Sequence, residues 1–244
     1  MIARLGRAGA FAVAAGVTRG VYGGLRRRVG DRDGRWRRVN YAGRDVDLYA
    51  GPATAVGTAL AVGRGPAAFA VLVAGACGAY DDVKGDDRRG FRAHLSALRQ
   101  GEVTSGAVKL LGIGAAGLVA GALMKERPVD KVLAGVVIAG TAHLVNLVDV
   151  QPGRAALGVL ALGAPGLLRG PEAAAPMGAA AAVLVDDLGE RTMLGDTGAH
   201  ALGAAVGAAI VAGNGRLGLA AHAAGLVAAA VCGDRVTALV RSPM

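Results

Sequence analysis

Aromatic side chains are almost missing from this chain: one Trp, four Tyr and three Phe among 244 residues. A water-soluble domain of that length normally leans on them to fill its core, so an ordinary soluble core is excluded. Cysteine is scarcer still. Cys77 and Cys232 both fall inside apolar runs, which argues against a disulfide or a zinc site. Charged residues are only 18% of the chain, against 53% hydrophobic ones. What remains is small and apolar: Ala, Val, Leu and Gly, the last at 41 positions. That mixture suits helices packed through small residues in lipid, and Gly114, Gly117 and Gly121 read first as such a contact. The expectation is an all-α, polytopic integral membrane protein.

A net charge of +9 would suit a nucleic-acid binder. The placement of the charge argues otherwise, because Lys and Arg lie mainly in loops that fall on one face, the pattern that orients a membrane protein. Nucleic acid is therefore excluded as a partner.

Residues 1–25 read as a weak first span interrupted by Arg19. A cleaved signal peptide is the rival, and a retained helix is preferred because no convincing small-residue cleavage site follows. Residues 26–47 form an Arg-rich loop expected in the cytoplasm, with Trp36 and Tyr41 as interfacial anchors. From Ala50 to Tyr80 the chain is apolar except at Arg64-Gly65-Pro66, and a break there makes two short helices rather than one long one. Each arm is shorter than an average span and requires tilt or thinning. A loop over 81–104 leads to a helix at about Ser105–Met124, a turn at Lys125–Pro128 and a helix at about 129–148. Short arms at about 156–168 and 176–186 and helices at about 199–213 and 217–233 complete the pattern. The sum is about nine transmembrane helices.

This arrangement returns three acidic clusters to one face. Of the 18 acidic residues, all but Glu126, Asp130 and Glu172 fall there, and the rule that places Lys and Arg does not explain it. Asp81-Asp82 ends one apolar run, followed by Lys84, Asp86 and Asp87. In Asn146-x-x-Asp149 the two side chains share one face of a helix end. Asp196 sits in Gly195-Asp196-Thr197-Gly198, where the glycines let backbone approach a ligand. Polar groups beside a membrane helix are costly and read as functional. Three clusters together suit a carboxylate-rich Mg²⁺ site and phosphoryl transfer.

Asp81-Asp82 near Lys84, Asn146-x-x-Asp149, and Met193-Leu194-Gly195-Asp196-Thr197-Gly198-Ala199 with Leu202-Gly203 resemble, in order, the inner-face motifs of the polyprenyl-phosphate N-acetylhexosamine-1-phosphate transferases. The resemblance implies a single transmembrane domain over residues 1–244 with catalytic cytoplasmic loops in the plasma membrane. It implies transfer of a sugar 1-phosphate from a UDP-sugar to polyprenyl phosphate within membrane lipid, with Mg²⁺ as cofactor and UMP as by-product, in cell-envelope glycan synthesis. On it, Asp196 is the metal ligand, Asp81 and Asp82 handle the lipid phosphate, and Asn146 and Asp149 line the nucleotide-sugar side. Gly51-Pro52-Ala53-Thr54 is a looser match that adds Thr54 to the substrate-binding set. Lys84 and Lys109 are the candidates for phosphate contacts, with snorkelling as their alternative role. His94, in the loop on the same face, completes the set.

The chain departs from that family where His143 and Pro152 flank the Asn146–Asp149 motif, and it has no His-x-His. Two other classes therefore stand beside the transferase: a relative that binds lipid phosphate or envelope-assembly partners without chemistry, and a transporter. The transporter ranks last because the charges gather at one edge instead of the bilayer midplane. Whether the chain forms a homodimer is left open.

Overall fold

The computed structural model describes residues 6–29, 34–85 and 100–241. Ten α-helices and one two-stranded sheet lie among them. In chain order these are α1 (Arg7–Arg28), β1 (Arg37–Val39), β2 (Asp45–Asp47), α2 (Ala50–Val62), α3 (Pro66–Lys84), α4 (Ser105–Met124), α5 (Pro128–Val148), α6 (Arg154–Leu167), α7 (Ala174–Leu188), α8 (Gly195–Gly213), α9 (Arg216–Val231) and α10 (Gly233–Arg241).

The all-α expectation holds, and most boundaries follow local chemistry. Pro66 and Pro128 open α3 and α5 at their first turns, where a missing N–H costs nothing. Thr104 caps α4, its hydroxyl accepting from the Ala107 N–H at 3.1 Å.

Helix α8 is the axis of the bundle, buried without a break from Thr197 to Ala209. Leu202 and Val206 pack in one cluster with Val159 of α6 and Val183 of α7. Ala204 and Ala208 pack in a second with Val137 and Ile138 of α5, and Ala201 and Ala205 in a third with Ala55 of α2 and Val71 of α3. A helix apolar on every face belongs inside the protein. Its neighbours come close because side chains are missing: a Cβ on Gly203 would lie 2.6 Å from the Ala142 Cα, and one on Gly207 2.8 Å from the Ile138 Cα. The same device joins α4 to α5 at Gly117 and Gly121, whereas Gly114 faces open space.

The count of nine spans is not met. Among the described residues three helices, α3, α4 and α5, are long and apolar enough to cross a membrane, or four if α9 and α10, bent by 79° at Cys232, act as one. Helices α2, α6 and α7 have 13, 14 and 15 residues, below the roughly 20 that a bilayer needs. Helix α1 carries Arg19 and three arginines in its last turn. The sequence pattern registered apolar segments, and several of them are covered by protein.

The Arg-rich loop also differs from expectation. It contains the β1–β2 hairpin, antiparallel with Arg37 opposite Asp47 and Val39 opposite Asp45. Asn40 builds its turn by accepting from the N–H groups of Ala42 and Arg44 at 3.0 and 2.9 Å. Trp36 packs on a cluster of Tyr22, Tyr49 and Ala53, while Tyr41 is exposed.

Candidate functional site

Five helix ends converge at one end of the bundle. Helix α3 brings Asp81 and Asp82 in its last turns, α4 brings Lys109, and α8 brings Asp196 and Thr197 at its start. The chain just past α5 supplies Asp149, and the end of α7 supplies Asp187.

The centre is an ion triad. The Lys109 ammonium donates to the Asp81 carboxylate at 2.5 Å and also to that of Asp196. All three side chains keep about a fifth of their surface open, between 18 and 23%. The Ser105 hydroxyl also reaches Asp81. Two carboxylates from different helices thus face one cation position at the edge of the protein.

Asp82, next along the chain, does something else. Its carboxylate accepts from the backbone N–H groups of Asp196 and Thr197 at 3.0 and 2.9 Å and from the Thr197 hydroxyl at 2.5 Å. A buried carboxylate therefore closes the N-terminus of α8, where free N–H groups and the helix dipole favour an anion. The expected Gly-Asp-Thr-Gly turn is the first turn of this helix, and Gly195, at φ 59°, is the left-handed step that leads into it. Gly78 lets α3 reach that turn, since a Cβ there would lie 2.3 Å from the Asp196 carbonyl oxygen.

Behind the triad lies a second acid pair. The Asp149 carboxylate, half-buried, accepts from the Gly195 N–H and is held well above the usual carboxylate range by burial and by the nearby charge of Asp187. Asp187 accepts from the Gly153 N–H at 3.1 Å, and burial pushes it up to about 6. His200 is buried, with its Nδ1 2.7 Å from the Asp196 carbonyl oxygen.

The remaining candidates divide. Asn146 is half-buried, and its carbonyl accepts from the Asp149 N–H at 3.2 Å. Thr54 lies below the site: its hydroxyl is buried and bonded back to the carbonyls of Ala50 and Gly51, both at 2.9 Å. Lys84 is exposed, one turn past the triad. His94, like Asp86 and Asp87, lies outside the described residues.

Asp186 and Asp187 went unassigned in the sequence, although this Asp-Asp pair closes an apolar run just as Asp81-Asp82 does. Asp186 binds Arg19 and, at 2.8 Å, Arg191. Arg19 and Arg26 each stack over Tyr22 at 5.6 Å, and Arg26 lies 3.3 Å from Asp47. Burial raises Asp47 above its ordinary value, opposed by the Thr192 hydroxyl, the Tyr49 N–H and Arg26. Arg19 therefore has a partner on α7 instead of lying bare in a span.

A Mg²⁺ ion usually takes one or two protein carboxylates, with water and phosphate oxygens completing its shell. Asp81 and Asp196 fit that demand, because both already converge on one cation. No group of three or more His, Cys, Asp and Glu forms a metal cage among the described residues. No family model, no curated protein and no solved structure matches this chain.

Proposed function

We propose that the protein is a Mg²⁺-dependent membrane transferase that moves a sugar 1-phosphate from a UDP-sugar to a polyprenyl phosphate, releasing UMP. The observation that carries this reading is the pair of carboxylates, Asp81 and Asp196, meeting at one partly open cation position where helices long enough to span a bilayer end. The resemblance of the three acidic motifs to those of the transferase family supports it. Arg26, Arg37 and Arg44 at the same end support a cytoplasmic site.

In the reaction, an oxygen of the lipid phosphate forms a bond to the sugar-bearing phosphorus of the donor. The bond from that phosphorus to the bridging oxygen breaks, and the oxygen leaves with UMP. Asp196, with Asp81 beside it, would hold Mg²⁺, which when bound neutralises charge on the diphosphate oxygens. Lys109, released from the two carboxylates, is left to pair with a phosphate. Asp82 fixes the start of α8 and so the position of Asp196. Asn146 and Asp149 stand on the donor side.

One observation favours a second reading, binding without chemistry: Lys109 already bonds both carboxylates and offsets one of their two charges without a metal. One assay separates the two. Purified protein with a UDP-N-acetylhexosamine, undecaprenyl phosphate and Mg²⁺ is expected to release UMP, and Asp196→Asn to lower the rate about a hundredfold or more. Full turnover by Asp196→Asn would refute the metal assignment. No UMP from the wild type with any common UDP-N-acetylhexosamine, together with no effect of Mg²⁺ on its melting temperature, would leave the binding protein.

A further inference from the structure

Beside the carboxylate site lies a cavity of about 400 Å³ that neither the motifs nor the proposed chemistry use. It is walled by Arg26 of α1, Arg37 and Asp45 of the hairpin, Asp47, Glu190 and Arg191. Its volume is in the range of small-molecule sites, about 300–1,000 Å³. Its charged walls exclude a lipid chain or another apolar occupant.

The charges are balanced and held in place. Arg37 pairs with Asp45 at 2.8 Å, Arg26 with Asp47 at 3.3 Å, and Arg191 with the buried Asp186 at 2.8 Å. Glu190 accepts from the Asn40 amide at 2.6 Å. A bare phosphate entering such a cavity meets carboxylates as often as guanidiniums, so charge gives it little. An uncharged ring bearing several hydroxyls is better served. Each hydroxyl can donate to a carboxylate and accept from a guanidinium, and bonds to charged partners are the stronger kind. The pairing already orients these groups, so less order is lost on binding.

The cavity is tied to the loop that carries Asp196. The Asp47 carbonyl accepts from the Met193 N–H at 2.9 Å and from the Thr192 hydroxyl at 3.1 Å. Asp196 follows Met193 by three residues, at most about 11 Å of chain. The loop that carries Asp196 thus also forms part of the cavity's wall, through Glu190 and Arg191.

We propose that this cavity is the sugar subsite, taking the hexosamine ring of the donor while the Asp81–Lys109–Asp196 cluster takes its phosphates. The ligand's identity rests on the transferase reading. The location rests on the cavity.

The test measures binding to the purified full chain in detergent micelles. The probes are UDP-N-acetylglucosamine, UMP and free N-acetylglucosamine, and the variants are Arg37→Gln and Asp45→Asn, both on the hairpin surface. Each variant is expected to weaken the UDP-sugar about tenfold or more and to leave UMP within about twofold. Arg37→Lys, which keeps the charge but loses the planar fork, is expected to fall between and guards against a folding defect. UDP-sugar affinity unchanged in both variants overturns the inference. Equal loss of UMP also overturns it, because the ring would then be the ribose. If the wild type binds no UDP-sugar, the transferase reading fails separately, and saturation-transfer NMR with free N-acetylglucosamine decides the cavity: transfer lost in both variants upholds it, and no transfer to the wild type ends it.

Discussion

The two ends of the helix bundle treat charge in opposite ways. At the end away from the site, the turns carry Arg169, Asn214, Arg216 and Asp130, and their partners lie at the surface. Arg216 forks onto Asp130 at 2.6 Å, Arg169 donates to Asn214 at 2.6 Å, and Lys125 to the Asn214 carbonyl at 2.9 Å. Opposite charges meet there at the surface. At the site end, Asp82, Asp186 and Asp187 are each less than a tenth exposed, and Asp149 beside them is half-buried. Among the described residues Asp186 binds two arginines, whereas backbone N–H groups hold Asp82, Asp149 and Asp187. The far end closes turns. The site end buries several carboxylates close together, a cost that a cationic ligand would relieve.

The largest effect that separates the ends is expected at Asp82. Removing its carboxylate in Asp82→Ala leaves two backbone N–H groups and a buried hydroxyl without an acceptor at the start of the central helix. A lost cap and unsatisfied buried donors together cost about 2–3 kcal/mol. Thermal unfolding in detergent should show a melting temperature lower by about 5–10 °C. An unchanged melting temperature would make the site end as tolerant as the far end and would undo the comparison.

A smaller effect, with a sign, is expected at Asp187. Its folded-state pKa of about 6 lies above the ordinary 3.8. The group therefore favours the fold fully below its unfolded value, and that contribution is lost as pH rises through about 6. The whole swing is on the order of 2–3 kcal/mol. Asp187→Asn keeps an acceptor for the Gly153 N–H and removes the charge. It should melt higher than the wild type at pH 7, with the gap closing by about pH 4. The same gap at both pH values would show that Asp187 does not titrate as a buried acid.

How far the sequence reached follows from the same contrast. Helices α2 to α5 were legible because Gly63, Pro66, Lys125 and Pro128 punctuate long apolar runs, and chain parity along them puts Asp81 and Asp149 at one end. Asp81 and Asp82 could not be told apart in one dimension. On a helix, neighbours point about 100° from each other, so one faces Lys109 and the other the start of α8. Lys109, 28 residues after Asp81, joined the acids only in the folded chain. The β1–β2 hairpin escaped because its strands show no apolar alternation; what sets it is the Asn40 turn and the bridge from Asp47 to Thr192, remote in sequence. The short helices were counted as spans because apolar composition does not distinguish burial in protein from burial in lipid.

The smallest effect is expected at the far end. In Asp130→Asn the Arg216 guanidinium loses its charged partner, but it is nearly half exposed, so it stays solvated alone and the pair is screened by salt. The side chains must also be held in one geometry to pair, which offsets part of the attraction. The melting temperature should stay within the error of the measurement at moderate salt, and Mg²⁺ should affect the variant and the wild type alike. A clear drop in melting temperature that high salt does not lessen would show that this pair is desolvated, as at a contact with lipid headgroups or a second copy, and the two ends would then differ in the sign of their charge and no longer in its exposure.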